Sequence, residues 1–379
     1  MRTEIVDSLA GVADGAWNTL SAGSFYGSLA WMRYQEAAPD SSVRYVLVRD
    51  ASGRLVAGMP IYVVDSEASG MYNPRVLFPD AAGTIGASRR TVLVGNRRGY
   101  SNRLLIDERQ DRNEITKMLV DAVNLVASQE ADGQAWWLYL GEGDTETLLT
   151  HANRAVPRLL AADCAIPLPG DSFGDYLQQG TSNMRRQIRK DREAFQRAEY
   201  TCTEVPFADV WAEMSPLITS HQAHHGEPAD PAVIRRLMRE QAEATGESGI
   251  VHACHLGGVM RGCTLTYTTE REVSSRAYGF DHSRPAVAGE YFELLYYRPM
   301  EAAYRSGARR LHLGIGTLRP KIRRGAEVSF LWAVSTGERL GTDGSGEAAA
   351  NNAARWQPMA DELGGAARQV MSGLLEHSL

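Results

Sequence analysis

Apolar and polar positions alternate with period two over three successive stretches, IVHACHL, MRGCTLTYT and EVSSRAYGFD, which is the pattern of half-buried strands. In the middle stretch Cys263, Leu265 and Tyr267 share one face. Next, GEYFELLYYRPMEAAYRSG spaces Phe292, Leu295, Tyr296, Pro299 and Ala303 at helical intervals and ends at Gly307, a residue suited to a helix C-cap. The strand RRLHLGI follows. The block 250–334 therefore reads strand, strand, strand, helix, strand, short helix, strand, and its first three strands predict a meander.

A similar order occurs earlier in the chain. SVRYVLVRD and RLVAGMPIYVV form two strands about a turn at Asp50-Ala51-Ser52-Gly53. In EITKMLVDAVNLVASQEA, Ile115, Met118, Leu119, Ala122, Val123 and Val126 fall on one helical face, and QAWWLYL is the next strand. A hairpin, a helix and a strand in the same order predict an internal structural duplication. SFGDYLQQGTSNMRRQIRKDREAF reads as two helices around Gly180, and a further helix starts near Phe207. The expected fold class is α/β (α+β), with two tandem domains over 1–169 and 170–335, each a mixed central sheet flanked by helices. Residues 336–379 read as a linker and a terminal helix.

Length and composition fit this division: 379 residues, 44% hydrophobic and 23% charged, supply material for two cores. A net charge of −6 argues against a general nucleic-acid coat protein and leaves room for a local basic patch. The four cysteines, Cys164, Cys202, Cys254 and Cys263, lack CxxC spacing, so they read as buried thiols and not as a zinc site or disulfide framework. No apolar run reaches the roughly eighteen residues of a membrane span, and the start lacks a signal-peptide pattern; a cytoplasmic location is expected.

Three clusters carry candidate chemistry. Arg185, Arg186 and Arg189 wrap a broad positive surface on the helix after Gly180, either a solvated face or a phosphate contact. Arg319, Lys321, Arg323 and Arg324 lie together in RPKIRRG. His221, His224 and His225 have i, i+3, i+4 spacing, which fits a polar helix end or a substrate contact; HxxHH lacks the glutamate of HExxH, so no metal is expected.

The order of elements in 250–334 resembles the core of the GNAT acyltransferase superfamily. The stretch 24–334 resembles its double-domain relatives, the Fem family of aminoacyl-tRNA-dependent transferases, through SFGDYLQQGTSNMRRQIRKDREAF, YGFD, YRSGARRLHLGIG and PKIRRGA. The resemblance implies two strands that part, exposing backbone N–H groups to a tetrahedral oxyanion; these are expected to be MRGCTLTYT and EVSSRAYGFD. It also implies a glycine-rich diphosphate loop in the CoA enzymes. Here FDHSRPAVAGEYF offers only Gly289, places Glu290 at the helix start, and leaves Arg284 to compensate, which disfavours CoA. Where many acetyltransferases place a tyrosine acid, four residues before Gly325, this chain has Lys321, as Fem-like transferases do. The Arg185 helix and the Arg319, Arg323 and Arg324 turn would then receive acceptor-end phosphates. Asp281 or one of His221, His224 and His225 would take the acceptor's proton, and Tyr278 and Tyr291 would line its pocket.

The expected activity is transfer of an aminoacyl group from aminoacyl-tRNA to a small-molecule amine, such as a peptidoglycan precursor or a specialised-metabolite intermediate, in a bacterial chain without ATP, metal or resident cofactor. The alternatives are an acyl-CoA-dependent N-acyltransferase and a non-catalytic binding protein on this scaffold.

Overall fold

The computed structural model describes residues 1–37, 41–67, 69–79, 90–152, 154–227, 229–283, 289–337 and 344–379. They form two compact units, Met1–Asp163 with Ile315–Arg319 and Val328–Leu379, and Cys164–Gly314 with Pro320–Glu327. The strands are β1 (Arg2–Val6), β2 (Ser42–Arg49), β3 (Leu55–Val64), β4 (Thr91–Val94), β5 (Leu105–Ile106), β6 (Gln134–Gly141), β7 (Arg158–Pro167), β8 (Thr201–Pro206), β9 (Gly249–Leu256), β10 (Val259–Thr268), β11 (Glu272–Phe280), β12 (Arg310–Gly314) and β13 (Glu327–Gly337).

In the first unit the sheet runs β1-β2-β3-β4-β6-β13. The β2–β3 hairpin turns as the sequence predicts: Asp50 Oδ1 accepts from the Ser52 and Arg54 N–H groups at 2.9 and 3.1 Å, and Gly53 takes φ +84°. Helix Arg112–Glu130 starts under an Asp111 cap and buries Ile115, Leu119, Val123 and Val126 against Val92, Val94 and Trp137. It leads to β6, which is parallel to β4. Helix Gly344–Leu363 packs back on this unit, where Asn352 accepts from Leu159 N at 2.7 Å and donates to Pro157 O at 3.1 Å.

The second unit repeats the scheme in the order β12-β11-β10-β9-β8, a meander followed by a helix and a parallel strand. The closing strands are exchanged between the repeats. The end of β7 pairs with β12, and β13, which the sequence order assigns to the second domain, pairs with β6 in the first unit. A double domain of this kind, with a mixed sheet flanked by helices in each half, is the GNAT-type architecture.

One sequence-based expectation is overturned. β10 and β11 do not part: they pair from Gly262↔Phe280 to Thr268↔Val273, with one bulge between Leu265 and Thr266. Two strands joined by the short turn at 269–271 close a continuous hairpin. The strands that part are β11 and β12, parallel for only three rungs, Glu272↔Arg310, Val273↔Leu311 and Ser274↔His312.

Candidate active site

The gap between β11 and β12 is faced by a distorted helix. Its first turn is Glu290–Phe292, a π-helical stretch spans Glu293–Tyr297, and α-helix resumes over Arg298–Ser306. Pro299 accounts for the distortion, because without an N–H it cannot bond the carbonyl of Leu295. That carbonyl lies 3.5 Å from Ser275 Oγ, one residue past the last β11–β12 rung. The π turn also shifts the buried face, so Leu294 and Tyr297 are buried where α-helical spacing points to Leu295.

In the first unit the equivalent gap is closed. Beyond Val94↔Trp137, Asn102 bridges to β6: its N–H donates to Tyr139 O at 2.8 Å and its amide donates to Leu138 O at 2.7 Å. The residue continues the pairing at the place where the strands of the second unit part, so the open gap lies in the second unit.

At the C-terminal end of β12 sits Lys321, 3% exposed, on the short helix Arg319–Ile322. Its ammonium donates to Gly314 O at 2.7 Å, and Gly314 and Gly316 take φ +62° and +104°, conformations that favour glycine. A fixed lysine thus marks the end of one parting strand.

The end of the other strand carries a polar cluster. Asp281 is ion-paired to Arg261 and accepts from Ser283 N at 3.0 Å. His282, which the sequence reading did not single out, has Nε2 3.1 Å from His221 Nδ1 and lies face to face with His224 at 3.9 Å. His225 stands edge-on to His221 at 4.6 Å, and Tyr278 does so at 4.9 Å. Burial, then the neighbouring imidazoles, push His221 down to about 4, and the same causes lower His282. At neutral pH the His221 imidazole is therefore uncharged.

A pH test follows from the sign of this shift. The unfolded chain takes up the His221 proton more readily, so stability present above about pH 6.5 is lost as the pH falls toward 4. Thermal unfolding across this window is expected to show a shallower decline for His221→Gln; an unchanged slope would contradict the assignment.

Beside the histidine cluster stand the expected acceptor aromatics. Tyr278 meets Tyr291 edge-on at 5.4 Å, and Tyr291 Oη lies 3.5 Å from Tyr296 Oη. Glu290 is 2% exposed and accepts from Tyr200 Oη at 2.6 Å. A buried carboxylate thus stands at the helix start where a CoA diphosphate would need positive charge. Arg284 lies outside the described residues.

The basic clusters separate into structural and exposed groups. Arg324 is buried: Nη2 donates to Asp191 Oδ2 at 2.6 Å, Nε donates to Tyr297 Oη at 3.0 Å, and the guanidinium lies 3.4 Å from the Phe292 ring centroid. Arg185 caps the preceding helix through Gly180 O at 2.5 Å. The Arg324 charge is thus taken up inside the fold, while Arg185 stays half-buried. Arg186, Arg189, Arg319 and Arg323 are exposed, Arg319 on the first unit and the others on the second. Arg323 borders a pocket of about 840 Å³ in the second unit. Tyr176, Met184, Phe292 and Ile322 give this pocket apolar walls, while Gln179 and Asn183 line it with amides. This volume suits a small-molecule-sized group.

Among the described residues no group of three or more His, Cys, Asp or Glu side chains is placed to hold a metal ion. No described helix is long and apolar enough to cross a membrane.

Parting parallel strands and a duplicated sheet define a double-domain GNAT-type fold. The chain belongs to the FemAB-like family, described as peptidoglycan biosynthesis/recognition, whose model matches residues 12–336. Among solved structures it is similar to FemX, at 9% identity and TM-score 0.61, over 95% of this chain and 99% of that one. It is also similar to a tandem GNAT protein from the clavulanic acid biosynthesis pathway, at 13% identity and TM-score 0.51, over 89% and 99% of the two chains. L-PGS from Bacillus licheniformis matches at 10% identity and TM-score 0.50, over 93% and 96%. No curated protein matches the chain.

Proposed function

We propose that the chain transfers an aminoacyl group from aminoacyl-tRNA to the amine of a peptidoglycan precursor or a related small molecule. The observation that carries this reading is the paired departure from CoA chemistry: Glu290 is buried at the helix start, and Lys321 is anchored at the end of β12. The amine nitrogen attacks the ester carbonyl, the C–N bond forms, and the C–O bond to the terminal ribose breaks. The His221–His282 pair takes the amine proton and hands it to the departing ribose oxygen, which leaves as the hydroxyl. Backbone N–H groups of β11 past Ser274, together with the Lys321 charge, stabilise the oxyanion. The pocket of about 840 Å³ receives the terminal nucleoside, with Arg323 beside its phosphate. Arg186 and Arg189 extend the phosphate track, and Tyr278 and Tyr291 border the acceptor.

Arg323 is exposed, so Arg323→Glu is expected to change stability by less than about 0.5 kcal/mol. It should still weaken tRNA binding and reduce the salt dependence of that binding. Affinity measured over a salt series checks this, and an unaltered slope would count against the assignment.

The second reading, an acyl-CoA-dependent N-acyltransferase, draws on the likeness to the tandem GNAT protein, whose structure is described as lacking AcCoA. A ligand at a hundred times its dissociation constant stabilises by about 2.7 kcal/mol, so thermal unfolding with acetyl-CoA separates the two readings. No shift is expected; a robust shift would favour the second.

A further inference from the structure

β8 is an edge strand, and its register with β9 sets Cys202 directly opposite Cys254. Directly opposed residues of an antiparallel pair have Cβ atoms about 4.5–5.5 Å apart on the same face. Their Cα separations, about 4.5 or 5.5 Å according to the pair type, fall within the range a disulfide spans, and its Cβ spacing of about 3.5–4.5 Å needs the two strands to draw together slightly at this rung. Both side chains belong to one apolar cluster with Phe195 and Leu294. On the other side of Cys254 the opposing residue is Gly262, so no side chain competes for the space around that sulfur from β10. Cys263 pairs with Ala253 and, by strand alternation, faces the opposite side of the sheet.

The two thiols differ in access. Cys254 is buried, whereas Cys202 is half-buried and lines a cavity of about 240 Å³ together with Leu294 and Arg298. Burial raises the Cys202 thiol and the Arg298 charge opposes that rise, while burial pushes Cys254 up to about 12. Cys202 is thus the more accessible of the two sulfurs and the one a small oxidant reaches.

We propose that Cys202 is a peroxide-modified site resolved by Cys254 into a cross-strand disulfide. In the first step the Cys202 thiolate attacks hydrogen peroxide, giving the sulfenic acid and hydroxide. In the second, the Cys254 sulfur displaces the sulfenic hydroxyl, the S–S bond forms, and water leaves with the Cys254 proton. Two thiols are oxidised and one peroxide is reduced. The bond locks the edge strand to its neighbour, two residues from Tyr200, the hydrogen-bond partner of Glu290.

The test treats the full chain with a small molar excess of hydrogen peroxide and follows intact mass and free thiols. The expected result is loss of two hydrogen atoms, a fall from four free thiols to two, and a peptide joining Cys202 to Cys254 that dithiothreitol reverses. In Cys254→Ser, dimedone should trap a sulfenic acid at Cys202. Four intact thiols in the wild-type chain, a persistent sulfenic acid at Cys202 there, or a disulfide involving Cys164 or Cys263 would overturn the proposal. The wild-type readout stands even where a variant fails to fold.

Discussion

Replacing Lys321 by alanine is expected to lower the transfer rate about 10²–10³-fold, the loss that follows removal of one oxyanion-stabilising group, about 2.7–4 kcal/mol. The ammonium is buried and directed at Gly314 O, so the substitution also leaves a carbonyl without its donor. That defect costs about 1–3 kcal/mol of stability, enough to lower the unfolding temperature but not enough to unfold a typical domain. Lys321→Met keeps the stem volume and removes the charge, so the two variants should differ in stability yet share the rate defect. Turnover per folded molecule is the deciding measurement. Wild-type turnover in either variant would remove Lys321 from the mechanism.

A second large effect is expected at Asp191, on helix Ser182–Arg197. Its carboxylate accepts from Arg324 at 2.6 Å, from Tyr297 Oη at 2.7 Å and from Gln187 at 2.7 Å. The Arg324 side chain is 3% exposed and that of Asp191 10%. Asp191→Ala strands the guanidinium in the interior, which costs about 3–5 kcal/mol when a buried pair loses one partner. Adding Arg324→Met should recover much of this loss, because the double variant no longer holds an uncompensated charge. Denaturant unfolding checks both. A loss near that of an exposed pair, below about 1 kcal/mol, would show that the network does not hold the turn. The same network fixes one wall of the large pocket, since Arg323 and Gly325 flank Arg324.

Asp191 also shows where sequence reading stops. Beside Arg192 it looks like a surface partner on a charged helix, yet it lies at i+3 from Ile188 and i−4 from Phe195, both buried. That spacing was the available signal. The periodicities disclosed the meander, the helix and the strand that follows it, because burying one face imposes a period that the sequence must carry. The parting pair was misplaced because two strands with similar alternation look alike whichever neighbour they hold. Only the crossover through the helix shows that β11 and β12 are parallel, and that their ladder ends after three rungs. Likewise HxxHH marked one end of a helix, but His282 joins it from the end of β11, and no local spacing connects residues 61 positions apart. The exchange of β7 and β13 is silent in the sequence for the same reason: each strand is apolar enough for either unit.

The central claim is acyl transfer from an aminoacyl ester, and mass spectrometry of product formation tests it most directly. The full chain is incubated with charged tRNA and, separately, with acyl-CoA, each with a panel of amine acceptors that includes peptidoglycan precursors. The account predicts an aminoacyl amide in the tRNA reaction only, dependent on Lys321. An amide formed from acyl-CoA, with none from charged tRNA, would contradict it.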